Sequence, residues 1–459
     1  MTGLWPALAQ VTAILVGSAA AGYALAAAFL PPAAPRPERA AWGVALGLAL
    51  LGGSALLAFA TGLSPVLATL IAGTLSLATA AFVSRRGVSP ATSRPSSRDR
   101  GGAGGDPTGV GTATRPMHAF LALLAAFGVI AFSLRALAQP PWSNDFLAIW
   151  GLKGKILFAG AGIPSRLFTD PSLGFSHPEY PLGLPVLYAS VSLLLGRWDD
   201  HALMVLFPFL QAATLLALFG WLRRRGSSAT LALAAAALLA QFGPLYSAFH
   251  TGLAEIPFSF AGLLLGEAFS DVLDGTDRFA IRRLALAAFL AVSTKNEGLL
   301  LIAAAAVLAL FSSRRAAAAS RSALSALLVP ALLLTGIGRV WKGNLPLRDF
   351  DFSYLTTRIH ELPPRIGEAI RTAFSEFVIP AWPGLLCLGA LIGGGRSRAS
   401  GNRLLALAAI SALAYLLFPS LAVAGPEWLV RTSFARTVSA LAPLTAAAIA
   451  VRLAGPREG

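Results

Sequence analysis

Residues 284–311 read LALAAFLAVSTKNEGLLLIAAAAVLALF, an apolar run broken once, at Ser293-Thr294-Lys295-Asn296-Glu297-Gly298. Uninterrupted, it would be one long hydrocarbon-seeking helix. The break leaves two short apolar segments, 284–294 and 298–311, joined by a polar step that carries a cation and an anion. Polar residues in such a place are costly unless they line a cavity or meet lipid headgroups. Lys295 is a compact point charge suited to a phosphate, and Glu297 is its natural ion partner.

The surroundings repeat the theme. Of 459 residues, 56% are hydrophobic and 12% charged, with a mean hydropathy of +0.69. Apolar runs recur at about 17 to 25 residues, the length a helix needs to cross a hydrocarbon core of roughly 30 Å. Candidate helices fall near 4–31, 40–61, 64–83, 117–138, 181–196, 202–221, 229–245, 255–271, 284–294, 298–311, 323–340, 379–393, 404–424 and 437–453. The expected fold is all-α, a polytopic transmembrane bundle of roughly 13–14 helices. The first run, Leu4 to Leu30, lacks a basic leader and is long for a signal-peptide core, although Ala24-Leu25-Ala26 imitates a cleavage site. The single cysteine, Cys387, lies in an apolar run and reads as a core residue.

A net charge of +15 does not point to nucleic acid here, because the arginines come in short clusters between apolar runs rather than on one face. They read as topology signals. Placing Arg36 and Arg39, 85–115, 223–225, 278–283, 314–321, 396–403, and Arg452 with Arg457 in the cytoplasm puts most of the acidic residues outside. One segment resists this assignment. The run 181–196 opens with Pro181 and Pro185 and is short, so it reads as a short or re-entrant helix; the alternative puts Arg223 to Arg225 outside.

Three units follow: an N-terminal three-helix membrane unit (1–83), an Arg/Gly/Ser-rich disordered cytoplasmic linker (84–116) and the main transmembrane domain (117–459). Two stretches, Phe146 to Phe158 with Lys153 and Lys155, and Leu355 to Val378, mix large apolar and charged residues as interfacial helices do. Both are expected to roof a cavity at the outer leaflet.

Chemistry is expected in the outer loops. Asp145, beside Asn144, directly follows a span and can act as a general base or cap the next helix. His177 and Glu179 sit in a turn braced by Pro178 and Pro181, which can present a site or simply start a helix. His250 and Glu255 mark the outer end of two spans, where Glu255 can also complement a helix dipole. Arg431 and Arg436 lie outside, against the arginine bias, and suit either a lipid-borne phosphate or headgroup anchoring. Walker, GxSxG, HExxH and CxxC patterns are missing, so ATPase, hydrolase, zincin and redox readings have no anchor.

Taken in order, these elements resemble the GT-C superfamily of polyprenyl-phosphate-sugar-dependent glycosyltransferases, in particular its bacterial PMT/ArnT-like and RgtA/B/C/D-like members. The likeness runs over 117–453: Asn144-Asp145 after a span, an amphipathic helix, the turn His177-Pro178-Glu179-Tyr180-Pro181-Leu182-Gly183, then Glu255-Ile256-Pro257. Thr294-Lys295-Asn296-Glu297-Gly298 is similar to the family's Thr-Lys-x-x-Gly segment, and Thr432 to Arg436 with Pro443 to its late Arg and Pro element. This chain has one carboxylate where the family commonly has a pair, Glu255 where Asp is usual, and three helices ahead of the shared core.

The resemblance implies sugar transfer from a polyprenyl-phosphate-linked donor to a lipid, glycan or protein acceptor, at the outer face of a bacterial inner (plasma) membrane, as a step of cell-envelope glycan biosynthesis. It gives Asp145 and Glu255 catalytic roles in an inverting displacement, and substrate binding to Asn144, His177, Glu179, His250, Lys295, Glu297, Arg431 and Arg436. No metal ligands are assigned; the one cofactor left open is a divalent metal ion. Membrane lipids are the remaining partners. A different class also fits discontinuous helices with ionisable groups: a transporter or flippase of a lipid-linked or anionic substrate.

Overall fold

The computed structural model describes residues 4–64, 67–72, 74, 111–138, 140–275, 277–311, 317–342, 350–377 and 399–454. Most of the expected third helix (64–83), the linker up to residue 110, and the run 379–393 with Cys387 lie outside these residues.

The described chain is helical, with one isolated bridge between Phe350 and Ala422. Its principal helices are α1 (Leu4–Ala26), α2 (Arg36–Thr61), α3 (Gly111–Leu137), α4 (Gly151–Gly160), α5 (Gly183–Leu195), α6 (Leu206–Arg224), α7 (Ala229–Ala240), α8 (Glu255–Asp274), α9 (Ala280–Thr294), α10 (Glu297–Leu310), α11 (Ala317–Lys342), α12 (Leu362–Phe377), α13 (Ala399–Leu417) and α14 (Ala442–Leu453). Seven of the described helices are long and apolar enough to cross a membrane, or eight if Pro426–Ser439 and Ala442–Leu453, bent by 44°, form one span. The other apolar runs make shorter helices: α5 has 13 residues, α7 12 and α10 14. At 1.5 Å per residue these reach only about 20 Å, less than a bilayer core. For α5 that agrees with the short segment expected from Pro181 and Pro185. α3 starts at Gly111 and includes Pro116, so the end of the expected linker is helical; a proline near a helix start gives up only one backbone bond.

Side-chain pattern sorts the helices by depth. α3 exposes Phe120, Leu123, Phe127, Ile130 and Leu134, a stripe at helical spacing. In water such a stripe would forfeit about 1.5–3 kcal/mol per side chain, and against lipid it forfeits nothing. α8 is buried along nearly its whole length and is the axis of the bundle. α1 and α2 share the hydrophobic core of the remaining helices, with Leu15 and Trp42 fully buried in it. Their pairing is close because a Cβ on Gly22, Gly43 or Gly47 would collide with the facing backbone.

Two polar clusters mark the ends of α8. Glu255 opens it and Asp271 and Asp274 close it; sixteen residues separate Glu255 from Asp271, about 24 Å of helix. The second end gathers the arginines of several clusters, as the positive-inside pattern requires. There Arg224 binds Glu38 (2.8 Å) and Asp271 (2.5 Å), Arg283 binds Asp271 (2.8 Å) and Asp277 (2.6 Å), and Asp274 pairs with Arg225 and Arg403.

The stretch Phe146–Phe158 departs from expectation. It is a π-helical turn, Phe146–Trp150, running into α4, and it packs inward: Phe146, Ile149, Trp150, Lys153 and Leu157 are buried. Lys153 does not face lipid. Its ammonium donates to the His177 carbonyl (2.6 Å) and lies over the rings of Trp150 and Tyr180, so the cation is solvated by the protein. The second expected interfacial stretch is amphipathic α12, which buries Ala369, Thr372 and Ala373 and exposes Phe374.

Candidate functional site

At the acidic end of α8 four segments converge. Asp145 precedes the π-turn that leads to α4, Glu255 opens α8, Lys295 and Glu297 flank the α9–α10 break, and Arg436 follows a second π-turn, Val430–Phe434. A π-turn adds one residue and so swings the next side chain by about 100°, and such turns concentrate at functional sites.

The break at 295 has a local cause. Ser293 and Thr294 turn their hydroxyls onto the Leu290 carbonyl (3.0 and 2.6 Å), competing with the ladder, and Lys295 leaves the helix in an extended conformation (φ −151°, ψ 147°). Gly298 lies so close to the Ala291 carbonyl that a Cβ would not fit. α10 therefore restarts against the end of α9 and holds Lys295 and Glu297 on one side.

The side chains form a chain of alternating charge. Arg436 Nη1 donates to Asp145 Oδ2 (2.7 Å), and its Nε lies 3.8 Å from Glu255 Oε1. Lys295 Nζ reaches the same Glu255 oxygen (3.2 Å), Glu297 Oε1 (2.9 Å) and the Thr437 hydroxyl (3.2 Å). Glu255 is buried, and the two cations offset the several kcal/mol that a lone carboxylate would cost there. Asp145 and Glu297 keep side-chain exposures of 34% and 25%, so both ends of the chain stay reachable from solvent.

His250 stands behind this row, buried, with Nδ1 3.0 Å from the Ser247 hydroxyl and Nε2 without a partner among the described residues. Burial is the main cause that holds its pKa below the ordinary histidine value, which favours the neutral ring. Phe249 supports Arg436 from below, its ring centroid 5.8 Å from the guanidinium carbon.

Five expected site residues, Asp145, Glu255, Lys295, Glu297 and Arg436, thus join one network, with His250 beside them. Asn144 is exposed next to Asp145. Asp145 makes no side-chain cap bond to the helix it precedes, so its ion pair replaces the capping role open to it from sequence. Arg431 does not join the network. It is half exposed and is taken up by Glu427 (3.0 Å) and Glu376 on the rim.

His177 and Glu179 make a second polar group, Nδ1 to Oε1 3.1 Å, with the imidazole stacked on Tyr180. His177 adopts a left-handed backbone (φ 53°), uncommon for a residue with a Cβ, while its carbonyl accepts from Lys153. Glu179 lies on the wall of a cavity of about 430 Å³, whose polar rim also includes Ser293, Thr294 and Asn296. Thr437 and Phe249 had no signal of their own in the sequence beyond adjacency to Arg436 and His250.

Arg436 and Lys295 are the partners of these carboxylates, and among the described residues no three His, Cys, Asp or Glu side chains are grouped as metal ligands would be.

Comparison with family models, with curated proteins and with solved structures found no match, so the functional reading rests on this geometry.

Proposed function

We propose that the protein is an integral-membrane glycosyltransferase that moves a sugar from a polyprenyl-phosphate-linked donor to a lipid, glycan or protein acceptor at the extracytoplasmic face of a bacterial plasma membrane. The observation that carries this reading is the pair of cations, Lys295 and Arg436, sharing buried Glu255 within reach of the more open carboxylate of Asp145.

The network holds two cations and three carboxylates. A donor phosphate can enter only by exchange. When a phosphate oxygen takes the Arg436 guanidinium, Asp145 is released from its ion pair and becomes a base. The acceptor oxygen then attacks the anomeric carbon from the face opposite the phosphate, its proton passes to Asp145, and the carbon–oxygen bond to phosphate breaks. The leaving polyprenyl phosphate gains negative charge beside Lys295 and Arg436, which stabilise it more than the ground state. Glu255 orients both cations. Transport is less well supported, because this network sits at one end of α8 rather than at its middle.

Reconstituted protein supplied with a panel of polyprenyl-phosphate sugars is expected to transfer one of them. Lys295→Met alone would leave Glu255 short of a partner, so it is combined with Glu255→Gln. Losing a charge-assisted bond of about 1.5–3 kcal/mol should raise the donor KM by roughly 10- to 100-fold. A normal donor KM in the folded double variant would exclude Lys295 as the phosphate ligand.

The orientation has its own check. In a Cys387→Ser background, an impermeant thiol reagent should label Asn144→Cys, but not Ser97→Cys, from outside intact cells. Equal labelling of both would overturn it.

A further inference from the structure

The cavity beside the network runs inward from the α9–α10 break, and one of its walls is α2. Leu48, Gly52, Gly53 and Leu56 of α2 face Thr335 and Gly338 of α11 across about 430 Å³ of mostly apolar space. The glycines divide into two kinds. Those that join α1 to α2, Gly43 and Gly47, have backbone atoms where a Cβ would go, whereas a Cβ on Gly52, Gly53 or Gly338 would meet nothing within 4 Å. A mid-helix glycine costs about 1 kcal/mol relative to alanine. Packing explains that cost at Gly43 and Gly47 and does not explain it at Gly52 and Gly53.

The position of this wall is fixed. Glu38, at the start of α2, is buried and accepts both bonds from Arg224 Nε (2.8 and 2.9 Å), and Gly220 of α6 leaves no room for a Cβ beside it. The cavity rim, Thr294 and Asn296, brackets Lys295 in sequence, and Pro257, two residues beyond Glu255, lines the same space. Lys295, a cation of the network, therefore follows one lining residue of a mostly apolar space and precedes another. A water-soluble substrate has no use for that space, and the hydrocarbon tail of a lipid phosphate fits it.

We infer that α2 is part of the substrate site: the cavity receives the phosphate-proximal part of the single hydrocarbon chain of the lipid phosphate, and Gly52 and Gly53 keep its wall smooth enough for a prenyl chain to pass. This rests on the reading of Lys295 and Arg436 as the phosphate site. It gives α2 a role in choosing the lipid carrier.

The test uses the full chain in nanodiscs with sugar-free prenyl monophosphates. A benzophenone-tailed prenyl phosphate is expected to label α2 between Leu48 and Leu56. Gly53→Leu should weaken undecaprenyl phosphate binding about tenfold, as one misplaced apolar group does in a fitted pocket, and leave geranyl phosphate unchanged. Gly338→Leu narrows the cavity from the other side and serves if the first variant is poorly folded. Labelling elsewhere, undiminished long-chain binding in folded variants, or equal displacement by two-chain phosphatidic acid would overturn the inference. The Lys295→Met/Glu255→Gln protein separates the two readings. Labelling of α2 that persists there, still sensitive to Gly53→Leu, supports the chain site and sinks only the headgroup assignment.

Discussion

Asp145→Asn is expected to fold like the parent and to lose sugar transfer by roughly 10²- to 10⁴-fold, the range a positioned general base contributes. The amide oxygen can still accept from Arg436 Nη1, now 2.7 Å from Asp145 Oδ2, so the link between the two segments that carry these residues survives. A carboxamide cannot take a proton from the acceptor. The donor KM should not rise, because Lys295 and Arg436 remain and a phosphate then displaces a neutral amide from Arg436 rather than a carboxylate, and the loss should fall on kcat. Measuring single-turnover transfer together with the unfolding midpoint distinguishes this from damage to the fold. A parent-like rate in Asp145→Asn would reduce the residue to a tether for Arg436 and return the base role to Glu297, the other partly exposed carboxylate of the network.

What the sequence disclosed depended on whether the information was local. Apolar runs separated by arginines mark the helices, and the polar step at 293–298 marks the break, because helix formation and its interruption are decided by neighbouring residues. Asp145, Glu255, Lys295 and Arg436 were each legible as polar groups too expensive to be idle in so apolar a chain. That Asp145 and Arg436, 291 positions apart, share a hydrogen bond was not legible. Pairing of that kind is set by how the helices stack. Lys153 shows the same limit. Its neighbours suggest a helix lying on lipid, yet the left-handed turn at His177 turns a carbonyl onto the ammonium and makes burial affordable. Arg431 looks equivalent to Arg436 in the sequence, but Arg431 lies within the π-turn and pairs with Glu427 and Glu376, and only Arg436, beyond the turn, reaches Asp145. Arg283 and Asp271 carried no motif at all, and each could be read as an ordinary topology charge.

Arg283→Met is expected to cost about 3–5 kcal/mol of stability, far more than any exposed pair on the molecule, because it strands buried charge. Arg283 is almost wholly inaccessible; it bridges Asp271 (2.8 Å) and Asp277 (2.6 Å), lies 3.9 Å from Glu38, and rests on the Trp42 ring. Without it, Asp277 loses a close cation, and Glu38 and Asp271 are left to Arg224 and Arg225. The exposed pair Arg358–Glu361 (2.7 Å) is the internal control: Arg358→Gln should leave the unfolding midpoint nearly unchanged, since water already screens it. Denaturation in mild detergent, read by intrinsic fluorescence, compares the two. The network joins α2, α6, α8, α9 and α13 at the end of α8 opposite Glu255, so it secures the helix that presents the site without touching substrate. Arg283→Met should therefore keep its donor KM at temperatures where it remains folded, while its unfolding midpoint drops. A variant no less stable than Arg358→Gln would show that the network is relaxed or hydrated, and α8 would then owe its position to apolar packing alone.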